Sequence, residues 1–145
     1  MNCNASRQSP SEVVRRYWRF WAQRNKAECV ALIARDATYA LFVPQEVLPF
    51  GGLTSGRASL SDRLQMILDV FHTMKFEGEI TRTAGDVVHG HVEYCFCHKL
   101  SGEEIEGTMR QIISVRDGLI VNWEEYTDVE RVRAFMRLVA YTASE

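Results

Sequence analysis

Residues 76–127 read FEGEITRTAGDVVHGHVEYCFCHKLSGEEIEGTMRQIISVRDGLIVNWEEYT, and the periodicity of this stretch decides the fold. Three clusters of turn residues divide it: Ala84-Gly85-Asp86, Ser101-Gly102-Glu103 and Arg116-Asp117-Gly118. The runs between them, 76–83, 87–100, 104–115 and 119–127, are rich in β-branched and aromatic residues, which suit a pleated surface. Short turns carrying Gly and Asp join antiparallel neighbours, so the stretch predicts a four-stranded meander. Side chains alternate between faces along a strand. In the second run Val92, Tyr94 and Phe96 share one face, expected to line the concave side, with His98 in register near its end. His89, His91, Glu93, Cys95 and Cys97 fall on the other face.

Upstream, helical signals dominate. Ser9-Pro10-Ser11-Glu12 offers a capping hydroxyl, a proline at the first helical position and a carboxylate three residues after the cap. Val14, Tyr17, Trp18 and Trp21 follow at helical spacing, and Arg15, Arg16, Arg19 and Arg24 form a solvated rim. A second short helix is expected after Asn25, burying Cys29, Leu32 and Ile33. Residues 39–43 read as a strand and 44–56, with two prolines and three glycines, as a loop. A long helix is predicted over 58–75, with Leu60, Leu64, Ile67, Leu68 and Phe71 buried. Asp128 caps a last helix carrying Val132, Phe135, Met136 and Val139. Helices gathered on one face of a mainly antiparallel sheet make an α+β class.

The chain has 145 residues, 46% hydrophobic and 25% charged, which suits one domain with one core. A single domain over 1–145 is therefore expected, with 1–9 a flexible N-terminal segment. The net charge of −2 argues against nucleic acid and acidic membrane surfaces as partners, since both require basic patches. The polar N-terminus has no apolar core of a signal peptide, and no run reaches membrane-spanning length. The four cysteines form no CxxC pair, and Cys95 and Cys97 are badly placed for a mutual disulfide. A reducing cytoplasm is the expected location. The His89-to-Cys97 face could hold a metal only with help from a second strand, so no metal is expected.

Several motifs resemble a known superfamily over roughly 12–139. Arg16-Tyr17 and Asp36-Ala37-Thr38 resemble the opening of bacterial ketosteroid isomerases. Leu48-Pro49-Phe50-Gly51-Gly52 and Ser55-Gly56-Arg57 resemble the loop and helix start of SnoaL-like proteins. Arg116-Asp117-Gly118 through Trp123, Tyr126 and Asp128 is similar to the ending of SnoaL-like and limonene-epoxide-hydrolase-like members. The resemblance implies an NTF2-like cone: a curved antiparallel sheet, packed against three or four helices, enclosing an apolar pocket. It also implies a homodimer through the sheet, with the His89-to-Cys97 face as a mixed polar interface between protomers. Function is not implied, because the superfamily hosts isomerases, cyclases, hydrolases, dehydratases and non-enzymatic binders.

Similarity to ketosteroid isomerase points Met109, Gln111, Ile113, Trp123, Glu125 and Thr127 inward. Tyr39, Leu41, Tyr94, Phe96 and His98, with Tyr17 and Trp21 from the first helix, complete the expected ligand-binding wall. Glu125 is the sharpest candidate, because desolvation raises a buried carboxyl toward a useful acid–base range, and it matches the catalytic aspartate of epoxide-hydrolase-like endings. The alternative for Glu125 is a structural pair with an arginine at the cavity mouth. Tyr17 matches the tyrosine that donates to the oxyanion in ketosteroid isomerases; a buried tyrosine with a satisfied hydroxyl is the alternative. The isomerase's general base falls at Leu41 and its second acid at Gln111, while the hydrolase's Arg-x-Asp pair falls at Met109 and Gln111. Both well-known mechanisms therefore lack an essential group. The reading that survives is cofactor-free acid–base chemistry, of isomerase, cyclase or lyase type, on a small hydrophobic carbonyl compound. Glu125, Tyr17 and Gln111 would be the catalytic trio. A non-catalytic binder of hydrophobic ligands and a dimeric interaction module are the alternatives.

Overall fold

The caps read from the sequence start the first two helices. Ser9 Oγ accepts the Glu12 backbone N–H at 3.2 Å, and Asn25 Oδ1 accepts that of Glu28 at 3.3 Å, each satisfying a donor the helix cannot. The structure, a computed structural model, describes residues 8–143; Cys3 and most of the expected flexible segment lie outside the described residues. Its elements are α1 (Pro10–Ala22), α2 (Lys26–Ala31), β1 (Ile33–Leu41), β2 (Gly52–Ser55), α3 (Arg57–Val70), β3 (Phe71–Ala84), β4 (Val87–His98), β5 (Glu104–Arg116), β6 (Leu119–Thr127) and α4 (Val129–Ala143). The strands form one curved sheet in the order β2-β1-β6-β5-β4-β3. The class is α+β, as the sequence predicts.

Local chemistry explains the meander. Asp117 and Gly118 both take positive φ, 53° and 78°, as the tight hairpin between β5 and β6 requires. Elsewhere the structure departs from the expected pattern in four ways. It is mixed, since β1 pairs parallel with β6 while the other pairings are antiparallel. The stretch 44–56 is not all loop: β2 pairs with β1, Tyr39 opposite Thr54 and Leu41 opposite Gly52. The long helix stops at Val70, and residues 71–75 belong to β3, where Phe71 pairs with His98. Arg24 receives that helix end, donating to the carbonyl oxygens of Leu68 at 2.9 Å and Phe71 at 3.0 Å. Similarly, α2 closes at Ala31 and Ile33 already belongs to β1, which begins six residues before the predicted strand. Each departure is a pairing between segments distant in sequence, which overrides local propensity.

The alternation along β4 holds. Val88, Val92 and Tyr94 are buried, while Glu93 is exposed and His89, His91, Cys95 and Cys97 are half-buried on the outer face. Among the described residues, no three His, Cys, Asp or Glu side chains are grouped to hold a metal ion, and no helix is long and apolar enough to cross a membrane.

Helix α1 docks on the sheet through Trp18. Its indole lies on Gly78 of β3 and Gly90 of β4, so closely that a Cβ would meet ring carbons at 2.3 Å and 2.5 Å respectively. Only a residue without a side chain leaves room there. Gly90→Ala is expected to destabilise the fold by about 1–3 kcal/mol, because the buried ring has nowhere to move. Urea unfolding measures this, and a variant as stable as the parent would contradict the packing.

Candidate functional site

The register of three strands assembles the polar end of the interior. Gln111 of β5 stands opposite Glu125 of β6, and the parallel β1–β6 pair sets Leu41 beside Glu125 and Tyr39 beside Trp123. Because strand side chains alternate, Trp123, Glu125 and Thr127 share the inward face. The Tyr39 hydroxyl donates to Glu125 Oε1 at 2.6 Å, and Gln111 Nε2 donates to the same oxygen at 2.7 Å. Glu125 Oε2 has no hydrogen-bond partner among the described residues, which leaves it for an occupant.

Trp18 decides which way round Gln111 sits. Its Nε1–H donates to Gln111 Oε1 at 2.7 Å. An indole nitrogen only donates, so the amide oxygen must face it and the amide nitrogen must face Glu125. That nitrogen also lies 3.7 Å from Met109 Sδ. Gln111 is thus committed to the carboxyl and the Trp18 indole, not to a ligand, which alters the role expected for it.

Tyr17 enters from α1, with its ring 5.5 Å from that of Trp123 in an edge contact. Its hydroxyl has no hydrogen-bond partner among the described residues. Burial, more than any neighbouring charge, pushes the pKa of Tyr17 well above the ordinary phenol value, so it stays a neutral donor. Burial is also the largest influence on Glu125 and raises its pKa, against the hydrogen bonds from Tyr39 and Gln111 and the charge of Arg63, which lower it.

Arg63 is the functional candidate that the sequence reading missed. It comes from α3, is 4% exposed, and its guanidinium carbon lies 4.5 Å from the Tyr39 ring centroid. It donates to Gly52 O at 3.3 Å and to Thr54 Oγ1. The expected alternative of an arginine paired with Glu125 is not what is seen: the two form no ion pair, and both meet Tyr39, Arg63 at its ring face and Glu125 at its hydroxyl. A signal existed, since Arg63 falls between Leu60, Leu64 and Ile67 on the apolar stripe of its helix.

Glu125, Gln111, Tyr39 and Tyr17 are polar points in the lining of a cavity of about 100 Å³. Of the residues predicted to line it, Tyr17, Trp21, Tyr39, Leu41, Tyr94, Phe96, Met109, Gln111, Trp123, Glu125 and Thr127 do so. Two do not. Ile113 is buried behind, paired with Trp123, and His98 holds the β4–β5 turn, its Nδ1 accepting the Ser101 N–H at 3.2 Å. The apolar remainder includes Leu48 and Phe50, from the stretch expected as loop, and Val132, Phe135 and Met136 from α4. Phe71, read as helical, joins them from the start of β3.

Residues 14–123 match the SnoaL-like domain. The chain belongs to the SnoaL-like family. Among solved structures, a candidate isomerase from Rhodopseudomonas palustris superimposes with a TM-score of 0.78 at 19% identity, covering 92% of this chain and 98% of that one. An NTF2-like protein from Burkholderia thailandensis E264 gives 0.73 at 20% identity, over 95% and 98% of the two chains. A candidate polyketide cyclase from Xanthomonas campestris pv. campestris gives 0.72 at 18% identity, over 90% and 98%. None of the curated proteins matches the sequence. At such identities the likeness carries the fold alone, and it is the NTF2-like fold that the SnoaL-like motifs imply.

The raised pKa of Glu125 has a thermodynamic consequence. The ordinary carboxyl value is 4.5, and the folded protein holds this proton more tightly than the unfolded chain does. The resulting stability is fully present below the unfolded-chain value and is lost as pH rises through the folded-state value. Glu125→Gln carries no such proton, so it is expected to gain stability relative to the parent as pH climbs through that window. Urea midpoints measured from pH 4 to pH 8 (about half-unit steps) test the sign; a difference that does not vary with pH contradicts it.

Proposed function

We propose that this SnoaL-like protein binds a small hydrophobic carbonyl compound and moves a proton beside the carbonyl, as an isomerase or cyclase without a cofactor. One observation carries the reading: in a cavity walled by hydrocarbon and aromatic rings, two polar groups, Glu125 Oε2 and the Tyr17 hydroxyl, are left without partners. Such a pocket favours an occupant that is apolar apart from one polar centre.

In the proposed step the Glu125 carboxylate takes a proton from the carbon next to the carbonyl. The C–H electron pair moves into the carbon–carbon bond, and the carbonyl π pair moves to its oxygen, giving an enolate. The Tyr17 O–H donates a hydrogen bond to that oxygen as its charge grows. In a substrate with a β,γ double bond the enolate is a dienolate whose electron pair extends to the γ-carbon, and return of the proton from Glu125 to that carbon moves the double bond into conjugation and completes an isomerisation. Attack of the enolate carbon on a second carbonyl, followed by protonation of the new alkoxide, completes a cyclisation. Both routes balance without an oxidant or reductant. Tyr39 and Gln111 hold the carboxyl through Oε1 and leave Oε2 for the proton. The names of the Rhodopseudomonas and Xanthomonas proteins fall in the same two reaction classes.

A thermal-shift screen of hydrophobic ketones and polyketide-like compounds, followed by product detection on each hit, tests the reading. Glu125→Gln is expected to abolish conversion of a hit while its thermal shift persists. Unchanged conversion would sink the catalytic role, and hits that stabilise the parent without conversion would make the protein a binder.

A further inference from the structure

Arg63 presents a physical problem. A buried guanidinium costs heavily unless its charge and its donors are answered. Its answered donors meet neutral oxygens, Gly52 O and Thr54 Oγ1, and its Nε has no hydrogen-bond partner among the described residues. Among the described residues no carboxylate lies within ion-pair distance of it. Burial lowers the pKa of Arg63, against Tyr39, Glu125 and Tyr17, which raise it, and the field of the cation is directed at whatever lies beyond.

What lies beyond is Tyr39 and then Glu125. The guanidinium rests on the ring of Tyr39, an attractive arrangement for a cation on an aromatic face, and the hydroxyl of that ring ends on Glu125 Oε1 at 2.6 Å. Among the described residues the buried polar side chains are Arg63, His98, Gln111 and Glu125, so the cation that could answer Glu125 is Arg63 or His98. His98 is tied into its own turn, away from both. The titratable groups that face Glu125 are Tyr17 from α1, Tyr39 from β1, Arg63 from α3 and Tyr94 from β4, and of these only Arg63 is charged when the phenols are neutral.

We propose that Arg63 is a positioning residue for the proton-transfer step, its guanidinium on the Tyr39 ring polarising that phenol and holding Glu125 as a carboxylate, so that the empty site begins its cycle as a base. The separation by a ring is essential to the device. A direct ion pair would occupy the carboxyl oxygens, whereas a cation acting through Tyr39 biases the charge and leaves Oε2 open. The same cation opposes the burial that pushes Glu125 the other way, and this keeps the carboxyl from being locked as a neutral acid.

The proposal rests on Glu125 being the proton-transfer group, but its test needs no substrate. The side-chain carboxyl carbon of Glu125, labelled with 13C and assigned by its loss in Glu125→Gln, is titrated by NMR in the ligand-free protein. In the parent it is expected to be ionised at pH 7. In Arg63→Met the titration midpoint is expected to rise by about one pH unit or more, since removing a nearby opposite charge disfavours the ionised form. In Arg63→Lys it is expected to stay close to the parent. Arg63→Gln keeps an amide donor for Gly52 and Thr54 without the charge, and it carries the test should the methionine variant not fold. An unmoved midpoint in a folded, uncharged variant overturns the proposal and leaves Arg63 as a clamp between α3 and β2. A parent carboxyl still protonated at pH 7 overturns it as well. Because the readout is a titration, either result stands apart from whether Glu125→Gln abolishes turnover.

Discussion

A carboxyl group set among hydrocarbon walls must be answered by its neighbours, and the interior of this protein is organised around that requirement. Desolvation opposes the charge on Glu125. Two hydrogen bonds converge on one of its oxygens and a cation stands one ring away, yet the second oxygen is left open. The donors arrive from β1 and β5 and the cation from α3, so only the folded sheet with its helices can bring them together. The parallel β1–β6 pair deserves particular weight, because it delivers Tyr39 to the carboxyl and joins the first half of the chain to the last strand.

How much of this was legible follows from where the information lies. The hairpins were, because glycines and aspartates write a turn within three or four residues. The inward face of the meander was, because alternation is a local pattern. The end of α3 was not, because no glycine or proline marks it and the pairing of Phe71 with His98 ends the helix instead. Nor was β2, a four-residue strand whose partner lies earlier in the chain.

The site shows the same division. Glu125, Tyr17, Gln111 and Tyr39 could be placed on the inward face from period and resemblance, but their bonding could not. Reading Gln111 as a ligand donor overlooked Trp18, 93 residues away in sequence, which takes the amide oxygen and thereby turns the nitrogen to Glu125. Arg63 left a trace, an arginine inside an apolar stripe, but a stripe cannot say which ring the cation will meet. Membership in the SnoaL-like family explains the container. The arrangement of Arg63, Tyr39 and Glu125 belongs to these particular side chains.

Tyr17 and Trp18 are consecutive on α1 and serve different ends, the phenol entering the cavity and the indole resting on Gly78 and Gly90. Successive residues on a helix are about 100° apart around its axis. Fixing the azimuth of the indole therefore fixes that of the phenol. Two positions on the sheet that carry no side chain act as a keyway for the helix, and the aim of the Tyr17 hydroxyl is set from outside the pocket it serves.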